Sequence, residues 1–216
     1  MPLVSDSASP ATFHIEYGVI RNGYAWAFPK RDHLNVGAGF FGTSQEARGP
    51  QTRELILSAI SAFTAALDLG VEASGCRTHF HPVPIWERAG PRHHPSKRVL
   101  LAGDAACLVN PLSGDGILNA IRSGALAALC IAEGEPGTYS RRLHQEIGRD
   151  LDAAARIARI FYAFPDVCFK MGIARPTATR TAARLLTGEL RYTEIVRRVI
   201  GRLLPAVKRL AMPGGQ

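Results

Sequence analysis

Residues 100–128 read LLAGDAACLVNPLSGDGILNAIRSGALAA, and the order of residue types along this stretch decides the fold class. The apolar run Arg98–Ala102 closes on Gly103-Asp104, the pattern of a buried strand that delivers a carboxylate to its C-terminal end, where α/β sheets bind their ligands. A carboxylate at that place accepts hydrogen bonds from sugar or sugar-alcohol hydroxyls. Asn110-Pro111-Leu112-Ser113-Gly114-Asp115-Gly116 then makes a loop whose glycines let backbone approach a flat ligand closely. The loop opens into a helix expected over Gly116–Ala132, and the free N–H groups and positive dipole end of that helix suit a ligand that develops negative charge. The plain alternative is a strand–turn–helix in which Asp104 caps a turn and the glycines only reverse the chain.

Upstream, Phe13–Ile20 is strand-like, Asn22-Gly23 is a strong hairpin signal, and Tyr24-Ala25-Trp26-Ala27-Phe28 alternates large and small residues with the period of a strand. After Pro29 and a polar turn, Leu34–Phe40 reads as a third strand, so an antiparallel meander of three strands is expected. Apolar residues at Leu55, Ile56, Ala59, Ile60, Phe63, Ala66 and Leu67 predict a helix over Gln51–Leu69. Cys76–Val83 reads as another strand. Downstream, helices are expected over Tyr139–Phe164, stopped by Pro165, and over Glu189–Leu210, interrupted at Pro205.

The chain has 216 residues, long enough to bury a core, and a formal net charge of +8. The basic excess lies in Arg175–Arg209, where the only acids are Glu189 and Glu194. On a helical wheel the segment from Glu189 puts Ile195, Val199, Leu203 and Val207 on one side and Arg197, Arg198, Arg202 and Lys208 on the other, a basic amphipathic helix suited to the protein's own core or to an anionic membrane surface. The bases form no groove with interleaved aromatics, so nucleic-acid binding is not expected. Cys76, Cys107, Cys130 and Cys168 are too far apart for a zinc or disulfide framework and read as four buried, reduced thiols. His79 and His81 share a strand face near His93-His94, yet no Cys, Asp or Glu stands at ligand spacing, so ordinary polar surface is expected rather than a metal site. No GxSxG accompanies a Ser–His–Asp set. The N-terminus lacks signal-peptide order and no run approaches the ~18 apolar residues of a spanning helix. A cytoplasmic chain, or one peripheral on a membrane, is the expectation, with residues 1–11 frayed.

With these readings in place, residues 100–128 resemble the second FAD motif of flavoproteins with the para-hydroxybenzoate hydroxylase fold, and within that group they look most like geranylgeranyl reductases, which share the GDAA, NP, GxGI and AIRSG elements. Tyr24-Ala25-Trp26-Ala27-Phe28-Pro29-Lys30 followed by Leu34-Asn35-Val36-Gly37-Ala38-Gly39 is similar to that family's YxWxFPK…VGxG segment; Leu185–Tyr192 matches less specifically. The resemblance spans most of residues 15–200. It implies an α/β (α+β) fold: a partial FAD-binding domain, antiparallel β strands of a substrate domain, and C-terminal helices. The expected division is 12–95 for the antiparallel substrate-covering portion, 96–165 for the C-terminal part of the FAD-binding domain and 166–216 for a helical region.

The implied activity is FAD-dependent reduction of carbon–carbon double bonds in prenyl groups of lipids or pigments, with the electron donor, NAD(P)H or ferredoxin, left open. The resemblance implies cofactor contacts at Gly103, Asp104, Pro111, Gly114, Asp115, Gly116 and Ile117. It implies a prenyl-binding surface at Tyr24, Trp26, Phe28 and Pro29, for which the plain alternative is the core face of the meander. No proton donor is evident. The family's N-terminal βαβ unit with GxGxxG, which holds the ADP half of FAD, is missing. The chain therefore corresponds to the C-terminal half of a reductase: a truncated product, a split protein whose partner chain carries the Rossmann half, or a remnant. FAD binding by this chain alone is expected to be weak or absent. The alternatives are a monooxygenase or halogenase of the same group, against which the Tyr24–Lys30 segment argues, and a lipid-binding module without cofactor.

Overall fold

β1 (His14–Tyr17), β2 (Gly23–Pro29) and β3 (Leu34–Phe40) form an antiparallel meander in the order β1-β2-β3, the topology expected from the alternation of large and small residues. The computed structural model describes residues 12–41, 50–68, 76–88 and 98–198, and the chain divides into two compact units, Met1–Pro82 and Val83–Gln216. β1 is shorter than the expected Phe13–Ile20, and residues 18–22 link it to β2, with Gly18 at φ 109° and Asn22 at φ 54°. Asn22 tolerates the left-handed region because its short polar side chain can bond locally.

In the first unit β2 sorts its side chains by size. Ala25 and Ala27 are buried and pack with Phe63 of α1 (Pro50–Ala66), which starts one residue before the expected Gln51–Leu69 and ends three residues short of it, and with Val36, Ala38 and Leu67. Small residues on that face let a helix lie close. Tyr24, Trp26 and Phe28 project from the other face and are half-buried. The core of the meander is thus its alanine face, and the aromatic row is something else. β3 places Gly39 opposite Tyr24 and Gly37 opposite Trp26, and a Cβ at Gly37 would lie 2.3 Å from the Trp26 ring. Gly37→Val should therefore lower the unfolding free energy by about 1–3 kcal/mol despite valine's strand preference. A urea titration would show this, and an unchanged midpoint would mean that the indole turns aside without cost.

Gly37-Ala38-Gly39-Phe40-Phe41-Gly42 spells GxGxxG, but Gly37, Gly39 and Phe40 belong to an antiparallel strand and pair with Trp26, Tyr24 and Gly23. A dinucleotide fingerprint must turn from a parallel strand directly into a helix N-terminus, so this string does not supply one.

Two expected strands are not formed. Residues 76–83 carry no strand, and Arg77–Val83 are exposed; Pro82 and Pro84 remove the backbone donors a ladder needs. His79 and His81 therefore share no strand face, and His93-His94 lie outside the described residues. Nor do residues 98–102 form a strand: Val99 and Leu101 are exposed rather than buried. Leu100 takes part in an isolated bridge rather than a strand, and Ile85 pairs with Val109 in an isolated parallel bridge, with Trp86 N–H donating to the Val109 carbonyl at 2.9 Å.

The second unit is built instead on helices. α2 (Ile117–Ala132) begins one residue after its expected start, and α3 (Tyr139–Leu143), a π-helical turn (His144–Gly148) and α4 (Arg149–Ala163) run end to end over the expected Tyr139–Phe164. Their common core holds Trp86, Leu108, Leu126, Cys130, Tyr139, Leu143, Ile147 and Leu151. Gly148 makes room in the π turn: a Cβ there would lie 2.9 Å from the Trp86 ring, which stacks on His144 with centroids 6.3 Å apart. Pro165 stops α4 as expected but opens α5 (Pro165–Cys168), and α6 (Ala178–Leu186) is a separate helix inside the stretch 166–216 read only as a helical region. Pro suits a first helical turn, whose N–H groups have no intrahelical partner.

Of the basic amphipathic segment, only 192–198 are described as helical; Pro205 lies outside the described residues. Among the described residues no helix is long and apolar enough to cross a membrane. All four cysteines are free thiols, but only Cys130 is buried, so the expectation of four buried thiols is corrected: Cys76, Cys107 and Cys168 are partly exposed. The fold class is mixed, an antiparallel sheet plus helices.

Candidate functional site

Gly103–Ala106 folds as a single 3-10 turn rather than as the end of a strand. Gly103 has φ +54°, and its N–H donates to the buried Ser123 Oγ of α2 at 2.9 Å. Ser123 in turn donates to the Ala120 carbonyl at 3.1 Å. A Cβ on Gly103 would lie 2.9 Å from the Ala120 Cβ. The turn and α2 are thereby fastened together, and Asp104 is set at an exposed position beside the helix start.

The glycine loop is organised around Asn110, which is buried. Its Oδ1 accepts from the Leu112 N–H at 2.8 Å and the Ser113 N–H at 3.3 Å, its carbonyl accepts from Gly114 N–H at 2.9 Å, and its N–H donates to the Asp115 carbonyl at 2.8 Å. Asn119 Nδ2 donates to the Leu108 carbonyl at 2.9 Å and anchors the preceding segment to α2. Gly114 has φ +68°, a conformation glycine adopts without penalty. At Gly116, a Cβ would meet Val109 Cγ2 at 3.1 Å and Asp104 Oδ1 at 3.2 Å, so the bare backbone keeps a space open between the carboxylate and the helix start.

These features enclose an open cleft of about 650 Å³ lined by Val83, Ala102, Gly103, Asp104, Ala105, Val109, Gly114, Gly116, Ile117 and Ala120. Five of the seven expected cofactor residues, Gly103, Asp104, Gly114, Gly116 and Ile117, line it together. Pro111 and Asp115 do not. Asp115 serves the loop itself: its Oδ1 accepts from the Ile117 N–H at 3.3 Å, and it lines a separate, smaller cavity. That bond occupies the first N–H of α2, so the donors left for a ligand are those of the next residues of the first turn. Among the described residues Asp104 makes no side-chain hydrogen bond or ion pair, leaving its carboxylate available to hydroxyl donors.

On the first unit Tyr24, Trp26 and Phe28 form a continuous aromatic row, with centroids 5.8 Å and 6.4 Å apart, extended by Tyr17 against Tyr24 and Phe13 against Phe28. Trp26 Nε1 donates to Asn35 Oδ1 at 2.9 Å, which satisfies the indole and leaves its faces apolar. Pro29 closes β2 opposite Leu34.

Neighbouring features in 100–128 thus converge on one cleft. The chain is 37% identical to the chloroplastic geranylgeranyl diphosphate reductase of Arabidopsis thaliana over 111 residues, 51% of this chain and 21% of that protein. It is 30% identical to the digeranylgeranylglycerophospholipid reductase of Methanothrix thermoacetophila over 155 residues, 67% of this chain and 37% of that protein. Digeranylgeranylglycerophospholipid reductase 2 of Methanopyrus kandleri is 28% identical over 209 residues, 88% of this chain and 49% of that protein. The chain is a relative of the geranylgeranyl reductases. It spans less than half the length of these relatives. No family model matches it, and no solved structure does.

Several residues that build the site stand apart from the motif reading. Ser123 lies in the AIRSG element but is given no role there; as a hydroxyl inside an otherwise apolar helix it needs a partner. Tyr139, whose hydroxyl donates to the Leu101 carbonyl at 2.7 Å, and Tyr162, whose hydroxyl donates to the Leu112 carbonyl at 3.0 Å, act from 38 and 50 residues away, and no local pattern links them to the loop. Among the described residues no group of three or more His, Cys, Asp or Glu is placed to hold a metal.

Proposed function

We propose that this chain contributes the ring-facing part of an FAD site in a reductase of carbon–carbon double bonds in prenyl groups of lipids or pigments. The observation that carries the reading is the convergence of Gly103, Asp104, Gly114, Gly116 and Ile117 on one cleft at the start of α2. The space beside Gly116, which a single Cβ would begin to fill, fits the edge of a flat ring, and the adjacent Asp104 carboxylate fits hydroxyl groups. When bound in its reduced form, FAD would supply a hydride, and a proton from solvent would complete saturation of the double bond.

The chain's own residues then orient and shield. Asp104 accepts hydrogen bonds from ribose or ribityl hydroxyls. The first turn of α2 presents its remaining N–H groups and dipole to negative charge on the ring, an effect of about 0.3–1 kcal/mol at an exposed helix end. The Tyr24, Trp26 and Phe28 row offers apolar surface to an isoprenoid chain. Contacts to the pyrophosphate are assigned to residues outside the described ones, since Gly37, Gly39 and Phe40 are taken up in an antiparallel strand. In keeping with that, α2 leaves Ile117, Ile121 and Ile131 exposed at 76%, 67% and 62%. Apolar residues recurring at this spacing form a stripe of the kind that other elements cover.

Titrating the purified chain with FAD and following the visible flavin band tests the reading. Weak but saturable binding is expected, with Asp104→Ala weakening it roughly 10- to 100-fold, the worth of a hydrogen bond to a charged group. A folded chain that leaves the flavin band unshifted at the highest FAD concentration, or an Asp104→Ala variant that binds equally well, would sink it. Incubating the chain with chemically reduced FAD and a geranylgeranyl lipid, followed by mass spectrometry for saturation, tests the activity.

A further inference from the structure

Cross-strand partners in the meander share a face, and on the face away from α1 Trp26 stands between Ile15 and Gly37, Tyr24 opposite Gly39 and Phe28 opposite Asn35. β2 carries a ring at each of these places, whereas β3 carries one amide and two bare positions. None of these residues is charged; His14 and Glu16 of β1 pair with Ala27 and Ala25 on the other face. The Trp26 indole fills the space that β3 leaves. A Cβ on Gly37 would fall 2.3, 2.6 and 2.9 Å from Cζ2, Cε2 and Cη2 of the ring, and a Cβ on Gly39 would fall 3.7 Å from Cζ3. The indole therefore lies across β3, over the Gly37 backbone, rather than standing off the sheet. At its polar end Nε1 donates to Asn35 Oδ1 at 2.9 Å.

We propose that Asn35 is a positioning residue: it pins the Trp26 indole flat over Gly37, so that one ring face rests on β3 and the other continues the apolar row of Tyr24 and Phe28. The part that concerns a prenyl ligand rests on the function proposed above; the part that concerns the indole does not. The bond lies at an exposed position, where water would serve the indole N–H nearly as well. Its effect is therefore on orientation rather than on satisfying a buried donor. Without an acceptor at position 35 the ring keeps its neighbours Tyr24 and Phe28, with centroids 5.8 and 6.4 Å away, but the bond that selects one rotamer across β3 is gone. Gly37 permits the flat setting and Asn35 selects it. An isoprenoid chain laid along the row gains dispersion contacts with each ring that presents a face to it. A gap of about 1 Å forfeits up to half of such a contact, so a ring that turns away weakens the whole row.

The test compares the full-length chain with Asn35→Leu, which keeps the bulk and removes the acceptor, and with Asn35→Asp, which keeps an acceptor at the same place. Nuclear magnetic resonance of the isotope-labelled chain resolves the indole N–H signals of its two tryptophans, and Trp26→Phe identifies the one that matters. Farnesol is the prenyl probe, titrated against the same signal. Asn35→Leu is expected to speed exchange of the Trp26 indole proton about threefold to tenfold, the loss of one hydrogen bond, while the backbone amides of β2 and β3 keep their protection. Farnesol affinity is expected to fall by a similar factor, and Asn35→Asp to keep both quantities near their wild-type values. An indole proton unchanged in Asn35→Leu, or faster exchange spread evenly over residues 14–40, overturns the proposal. So does an Asn35→Asp chain that behaves as Asn35→Leu does. A wild-type chain that binds no farnesol but shows the indole effect retains the positioning role and removes the prenyl reading instead.

Discussion

Tyr139→Ala should lower the unfolding free energy of the chain by about 3–5 kcal/mol, the range for deleting a fully buried aromatic side chain. Tyr139 is 0% exposed and sits among Leu108, Leu126, Cys130 and Leu143 in the largest core cluster. The helices cannot close over so large a void without moving α2 against α3. Tyr139→Phe isolates the hydroxyl. It removes the 2.7 Å hydrogen bond to the part-buried Leu101 carbonyl, at a cost of about 0.5–1.5 kcal/mol, the worth of a typical hydrogen bond. Because Leu101 lies two residues before Gly103, that loss should also loosen the approach to the cleft.

The same residue makes a signed pH prediction. Burial, with the nearby Cys130 adding to it, pushes the Tyr139 phenol from its ordinary 10.0 up to about 12. The neutral phenol is the form the fold prefers. Its contribution is therefore complete below pH 10 and is lost as the pH rises through about 12. Burial raises Tyr17 and Tyr192 as well, so they act with the same sign. Denaturation midpoints of the wild type should fall in this alkaline window more steeply than those of Tyr139→Phe; parallel curves for the two proteins would contradict the assignment.

Gly103→Ala should lower stability by about 2–4 kcal/mol, the sum of placing a side chain in left-handed backbone and of overpacking against a helix. Gly103 has φ +54°, and its added Cβ would meet the Ala120 Cβ at 2.9 Å, a contact between two rigid groups that only a backbone shift can relieve. That shift would also pull the Gly103 N–H from Ser123 Oγ and displace Asp104 from the helix start. Combining Gly103→Ala with Ala120→Gly separates the two causes. The pair should recover the contact part and not the φ part, so calorimetry should show a coupling of about 0.5–3 kcal/mol between neighbouring sites. Strict additivity would mean that the contact is not the source of the loss.

Much of the architecture could be read from local pattern. The size alternation in Tyr24–Phe28 and the glycines of Leu34–Phe40 specify a meander, because side-chain period two and close backbone approach are properties of the strand itself. The apolar spacing of α1, the glycine before α2 and the length of the helical rod from Tyr139 are local too. So was the likeness of 100–128 to a flavin-facing segment, since neighbouring residues carry it. Reading failed where an element depends on partners distant in sequence: residues 98–102 have the composition of a buried strand, but composition cannot provide the neighbour that a parallel strand requires.

The amino-acid order by itself determined which residues could form the cleft: a carboxylate after an apolar run, and glycines ahead of a helix. Only the tertiary structure decided which of them do. It removed Asp115 and Pro111 from the cleft, made the alanine face rather than the aromatic face the core of the meander, and tied Leu101 to Tyr139 and the loop to Tyr162. The reason is that a backbone preference is written in a few adjacent residues, whereas a buried hydroxyl finds its acceptor only when separate helices have packed and water has been excluded between them.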